Sequence, residues 1–157
     1  MRDWGVRISA KADYAVRAMA ELAASEPGQP VKAEALAATQ AIPRNFLDNI
    51  LSELRSAGLV RTMRGPEGGS MLGRPAAEIT IAEVLRAVEG PLAAVRGVRP
   101  EELEYPGAAT RLPDVWVAVR ANLRGVLEQV TLADLATGKL PSGIVRLAKD
   151  PDAWRPH

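Results

Sequence analysis

The chain has no cysteine, and its single histidine is the last residue, His157. A disulfide framework, a cysteine nucleophile and a thiolate-held metal cluster are therefore excluded. No plausible catalytic histidine remains. No apolar run approaches the ~20 residues that span a bilayer. No charged, apolar, small-residue start marks a secretory signal. A cytoplasmic location and no membrane partner are expected. Charge of one sign is lacking too: 20 Lys and Arg against 19 Asp and Glu give +1. Residues 1–74 hold 10 basic against 8 acidic side chains, and residues 75–157 hold 10 against 11. Any basic face must come from local placement, as in 55–74, where four arginines meet only Glu67. No phosphate-cradling loop precedes a helix, since the glycines of 65–69 sit between expected strands. Glu101 and Glu102 are paired carboxylates in a loop with no apolar pocket signalled. Enzymatic activity is not expected.

With 47% hydrophobic residues the chain can bury a core. The most informative stretch is 31–74. A short helix over 33–39, with Leu36 and Ala37 inward, is followed by a turn at Gln40, Ala41 and Ile42. Pro43 suits a first helical position. Phe46, Leu47, Ile50, Leu51 and Leu54 then draw one stripe at helical period. Gly58 supplies a left-handed cap. Leu59 and Val60 lead into a strand, 65–69 is a hairpin loop, and Met71 and Leu72 begin the return strand. That order is a winged helix-turn-helix. Opposite the stripe lie Arg44, Asn45, Asp48, Asn49 and Ser52, polar residues suited to a major groove.

Arg64-Gly65-Pro66-Glu67-Gly68-Gly69 resembles the Arg-Gly-Pro-x-Gly-Gly wing of the Rrf-two family of bacterial transcription regulators. That family includes the iron–sulfur cluster regulator, the nitric-oxide-sensing repressor and the repressor of cysteine metabolism. Three further stretches agree: 7–15 (RISAKADYA), 54–60 (LRSAGLV) and 79–85 (ITIAEVL). The resemblance runs from about Val6 to Leu135. It implies a mainly α fold with a β-hairpin wing, a DNA-binding domain over 1–89, and a loop, long dimerisation helix and tail over 90–157. It implies a homodimeric, sequence-specific regulator of double-stranded DNA, most simply a repressor. Arg44, Asn45 and Asn49 would read base edges or adjacent phosphates. Asp48 would accept from a cytosine amino group or solvate the helix. Arg64 with Gly65 would enter a flanking minor groove. Lys11, on a helix that lies against DNA in this family, would hold a phosphate or stay solvated.

Some positions depart from the family pattern. Ala41 stands where glycine is common, and Pro43 where a serine cap is usual. Glu67 and Ser70 replace a lysine or glycine and a tyrosine of the wing, and Glu67 would repel a phosphate. Val6 occupies the place of the family's starting methionine, so residues 1–5 are expected to precede the natural start. The family's cluster cysteines fall between the wing domain and the long helix. Here that interval, 90–116, contains neither Cys nor His. Carboxylates alone are hard ligands unsuited to such a cluster, so no cofactor is expected.

Ser9 caps a helix through about Ala24, with Ala12, Ala15, Met19 and Leu22 inward; Tyr14 reads as a core or interface ring. Thr80 and Glu83 form the two ends of a capping box, with Ile79 and Val84 as its staple. Residues 92–113 lack a clear period and read as a long loop. A helix over 114–129 follows. Trp116, Val119, Leu123, Val126 and Val130 are spaced as an a/d seam, which serves as a core stripe or, by resemblance, as the dimer interface. Another short capped helix begins at Thr131 and ends at Gly138. Beyond Pro141 the chain has little to bury apart from Trp154, and its end is expected to be mobile. Two alternatives stay open: a winged helix used mainly for protein contacts, and a sensor whose loop closes over a small molecule, with Arg96, Arg99, Tyr105 and Trp116 as candidates.

Overall fold

The computed structural model describes residues 7–156. Residues 1–6, with the expected late start, and His157 lie outside the described residues.

Helix α1 (Ala10–Ala24) starts at Ser9, whose Oγ accepts the Ala12 N–H at 3.0 Å. The inward stripe is as expected, with Ala18 added. Alanines at 12, 15 and 18 keep this face thin, and α4 (Ile81–Glu89) and α6 (Leu132–Thr137) both pack on it.

The helix-turn-helix is α2 (Ala33–Gln40) and α3 (Arg44–Ser56). Its turn places Ala41 in the left-handed region, φ 51° and ψ 47°. A side chain there costs about 1–2 kcal/mol. Ala41→Gly should therefore raise unfolding stability by roughly 0.5–1 kcal/mol, once the extra freedom of the unfolded glycine is deducted. Urea denaturation with an unchanged slope would register it.

Pro43 is the N-cap of α3 and not its first helical residue, because its ψ of 130° is extended. Helical dihedrals begin at Arg44. Leu47, Ile50, Leu51 and Leu54 are buried, but Phe46 is not: it is 52% exposed. It precedes the stripe by one residue, so it sits at the stripe's edge. Its ring lies 6.3 Å from that of Tyr14, tilted by 51°. Gly58 has φ 78° and turns the chain toward the wing.

Strands β1 (Val60–Met63) and β2 (Gly69–Leu72) are antiparallel, pairing Val60 with Leu72 and Met63 with Gly69. The return strand thus begins earlier than Met71. Val31 adds an isolated antiparallel bridge to β2, exchanging two 2.8 Å backbone hydrogen bonds with Ser70. That packing buries Ser70 and explains the small residues around it. A Cβ on Gly68 would stand 2.1 Å from the Met63 carbonyl oxygen, and one on Gly69 2.5 Å from that of Val31.

Helix α4 is capped by Thr80, whose Oγ1 accepts the Glu83 N–H at 3.2 Å. The expected reciprocal arm is not made by Glu83, because its carboxylate accepts from Arg74 instead. The full box occurs at α6, where Thr131 and Asp134 bond each other at 3.0 and 3.1 Å. Ile79 and Val84 are fully buried, as a staple requires.

The segment 92–113 is more ordered than its composition suggested. Val95 and Val98 form an antiparallel bridge, and 3-10 turns span Pro100–Glu102 and Gly107–Ala109. Leu92 and Pro100 are buried. Helix α5 runs Leu112–Leu127, and none of its residues is buried.

Val130 corrects the seam. It lies past the end of α5, is 5% exposed, and accepts the Ile81 N–H through its carbonyl at 3.0 Å. It belongs to the interior. Leu132, fully buried, joins the same core as α1, α3 and α4. The core therefore draws on both sides of residue 89.

The segment after Pro141 carries regular structure that its composition did not suggest. After Pro141 comes helix α7 (Ser142–Lys149), then a 3-10 turn Pro151–Trp154. Arg146 and Lys149 in its last turn complement the helix dipole. No helix among the described residues is long and apolar enough to cross a membrane.

Candidate nucleic-acid interface

Arg44, Asn45, Asp48, Asn49 and Ser52 are all exposed along one side of α3. The buried stripe fixes that side outward, since Leu47, Ile50, Leu51 and Leu54 face the core. Arg17 braces the turn beside it by donating from Nη1 to the Gln40 carbonyl at 2.7 Å. Its guanidinium also lies 4.9 Å from the centre of the Tyr14 ring.

Arg44 is not free. Its Nε donates to Asp48 at 2.9 Å and its Nη1 to Glu34 at 2.8 Å. The bond to Asp48, then that to Glu34, holds the guanidinium above its ordinary pKa. The same bond to Arg44 holds the Glu34 carboxyl below the usual range. To read a base, Arg44 must exchange two carboxylates for nucleic-acid acceptors. Glu34→Gln should therefore raise operator affinity, by roughly three- to tenfold near 0.1 M salt, with the gain shrinking as salt rises. Fluorescence anisotropy across a salt series would measure it.

Lys11 is also engaged. Its Nζ donates to Glu53 at 2.8 Å, while the other carboxylate oxygen of Glu53 is buried without a donor. Lys11 and Glu53 form one end of a cleft shared with Phe46, Asn49 and Ser52. An ammonium has three donors, so Lys11 can keep Glu53 and reach a phosphate at once. Arg64 and Gly65 are exposed at the wing tip beside Glu67. Gly65 has φ 104°, a conformation that favours glycine.

The roles of Glu34 and Glu53 are absent from the sequence reading, because both pairings cross between helices and leave no periodic signal. Arg61 on β1 was also missed. It is exposed, next to Val60, which is buried.

On α5, Trp116, Val119 and Leu123 are half-buried, and Val126 and Val115 are 38% and 51% exposed. This is an apolar face with little of its own chain over it. The ligand candidates separate. Arg99 lines a cavity of about 340 Å³ with Arg86, Leu92, Glu101, Arg120 and Arg124. Arg96, in the left-handed region at φ 51°, and Tyr105 do not line it.

Comparison with known proteins places this geometry in a family. The family model Rrf2, described as "Iron-dependent Transcriptional regulator", matches residues 8–138. A Mycobacterium tuberculosis protein named "Putative HTH-type transcriptional regulator Rv1287" is 54% identical over 145 residues, 92% of this chain and 90% of that protein. CymR of Bacillus subtilis is 34% identical over 132 residues, 84% of this chain and 91% of CymR. Its solved structure, described as that of the global cysteine regulator, superposes with a TM-score of 0.71 over 85% of this chain and 98% of that one. The T. potens IscR structure, 30% identical, gives 0.69 over 85% and 88%.

The family's description names iron, and this chain's donors are the wrong ones for it. Residues 90–116 offer no thiolate and no imidazole. Among the described residues no group of three or more His, Cys, Asp or Glu could hold a metal ion. The cavity beside this interval is lined by arginines, which repel a cation. These residues do not fit an iron–sulfur cluster.

Proposed function

The chain belongs to the Rrf2 family of DNA-binding transcriptional regulators and is not an enzyme, and from that premise we propose that it is a homodimeric repressor acting without a cluster. We further assign residues 1–89 as the DNA-binding domain and 90–157 as the dimer helix with its flanks, in a cytoplasmic protein. The observation that carries this reading is the exposed polar side of α3, set by a buried stripe and braced by Arg17. Asn45 and Asn49 stand one helical turn apart on it and reach successive base edges. Arg64 and Gly65 enter the flanking minor groove, and Lys11 holds a phosphate.

Titrations on operator and scrambled duplexes, at several salt concentrations, test it. Lys11→Ala should weaken all sequences alike and reduce the log–log salt slope by roughly 0.9 per lost contact per subunit. Arg64→Ala should cost more on A·T-rich flanks than on G·C-rich ones. Asn45→Ala and Asn49→Ala should relax preference at particular base pairs, by roughly 1–3 kcal/mol where a bidentate pair is lost. Equal losses on every duplex for all four would mean that none reads sequence, and that specificity comes from DNA shape or from another protein.

A further inference from the structure

The cavity beside α5 has an unusual lining. Arg86 comes from α4, Arg99 from the connecting segment, and Arg120 and Arg124 from successive turns of α5. Glu101 is the one acidic group in that lining. Two of the arginines already hold carboxylates: Arg120 pairs with Glu101, and Arg86 with Glu128 at 2.5 Å. Arg99 and Arg124 have no ion-pair partner among the described residues. Glu101 sits below its ordinary pKa, first through its own backbone hydrogen bond, then through Arg120, with Arg99 adding to it. The Arg120 side chain is only 14% exposed, so a charge beside it is poorly screened. One turn back on α5, the Trp116 indole N–H is buried with no acceptor.

Guanidinium groups converging from three segments are expensive to hold together unless anions sit between them. Within the chain the two carboxylates satisfy two of the four. The cavity itself is of small-molecule size, and Leu92 and Pro91 supply its apolar wall. Arginine forks match the paired oxygens of carboxylate, phosphate and sulfate groups.

We propose that this cavity binds a small dianion, and that the dianion is the regulator's signal. The first part stands on the cavity alone; the second rests on the DNA-binding reading. The lining explains how binding would be felt. Arg86 belongs to the winged domain's α4, and Arg120 and Arg124 to α5. A dianion bridging them ties the two more tightly than the present pairs and shifts one against the other, which resets the spacing of the two reading helices in a dimer.

Calorimetric titration of the full chain with inorganic sulfate, inorganic phosphate and malonate tests this, each matched in ionic strength with sodium chloride. At least one should bind saturably, one per chain. Arg99→Ser and Arg124→Ser should each weaken that binding roughly tenfold, as the loss of a charge-assisted pair implies. Operator affinity should change saturably with the bound anion in the parent protein and not in the double variant. In anion-free buffer the two proteins should bind operator equally. Affinities weaker than about 10 mM for all three probes, on the scale where 1 mM is about −4 kcal/mol, would overturn the site. So would undiminished binding by the double variant. Loss of operator binding by the double variant in anion-free buffer would assign these arginines to DNA or to the dimer instead. Failure of the parent protein to bind any operator would sink the DNA-binding reading alone, because the calorimetric result stands apart from it.

Discussion

Leu123→Glu combined with Val126→Glu should convert the protein to a monomer in sedimentation velocity, with the winged domain still folded. None of the residues of α5 is buried within its own chain. A glutamate there meets water in the monomer and an apolar partner surface only in the dimer, where burying the charge is costly. Operator affinity should fall far more than stability. Two linked half-site binders gain roughly 10²–10⁴ from effective concentration, and the monomer forfeits it. Persistence of the dimer would place the interface elsewhere on the chain. Val130 is the built-in contrast. Because it is interior, Val130→Glu should unfold the protein instead of merely splitting it, and a loss of thermal cooperativity would distinguish the two.

Gly68→Ala should collapse the wing. The new methyl would lie 2.1 Å from the Met63 carbonyl oxygen and 2.9 Å from the Arg64 carbonyl carbon, both backbone atoms that cannot rotate aside. Relief requires opening the hairpin or parting β1 from β2, which also disturbs the Val31–Ser70 bridge. We expect a stability loss of about 2–4 kcal/mol, in the range of severe steric substitutions. Arg64 would no longer be presented to a minor groove. Chemical denaturation and operator titration together measure it. A variant of parental stability that keeps full affinity would show that the wing is neither rigid nor used.

Much of the fold was legible in the sequence because it is written in local signals. The stripe of α3, the Ser9 cap, the left-handed Gly58 and the glycines around the wing each act over a few residues, and the family resemblance covers the same stretches. Misreadings arose where long-range packing decides. Phe46 is apolar but one position off the stripe, and only the arrangement of α1 leaves it outside. Val130 fits an a/d spacing on paper, yet the helix ends before it and the chain turns inward. Glu83 has the right spacing for a capping box, but Arg74 offers its carboxylate a charged partner. In the candidate site, the polar residues of α3 could be listed in advance. Their engagement by Glu34 and Glu53 could not, because those partners come from other helices. The arginine cavity was invisible for the same reason: only Arg99 was singled out, and the other three arginines come from α4 and α5.

The way α5 is fastened has a mechanical consequence. Its carboxyl end is stitched to the start of α4 by two backbone bonds, Ile81 N–H to Val130 and Leu132 N–H to Ile79, at 3.0 and 2.9 Å. Its middle rests on the 3-10 turn Pro100–Glu102, where Arg120 pairs with Glu101. The helix is thus a lever with a fixed fulcrum and a latched arm. With 16 residues it is about 24 Å long, so a tilt of ~5° about the fulcrum moves the free end ~2 Å. In a symmetric pair each arm carries its partner, so displacements of that size add across the dyad. Small changes at the latch are thereby geared up into a change of pitch between two grooves of the same duplex.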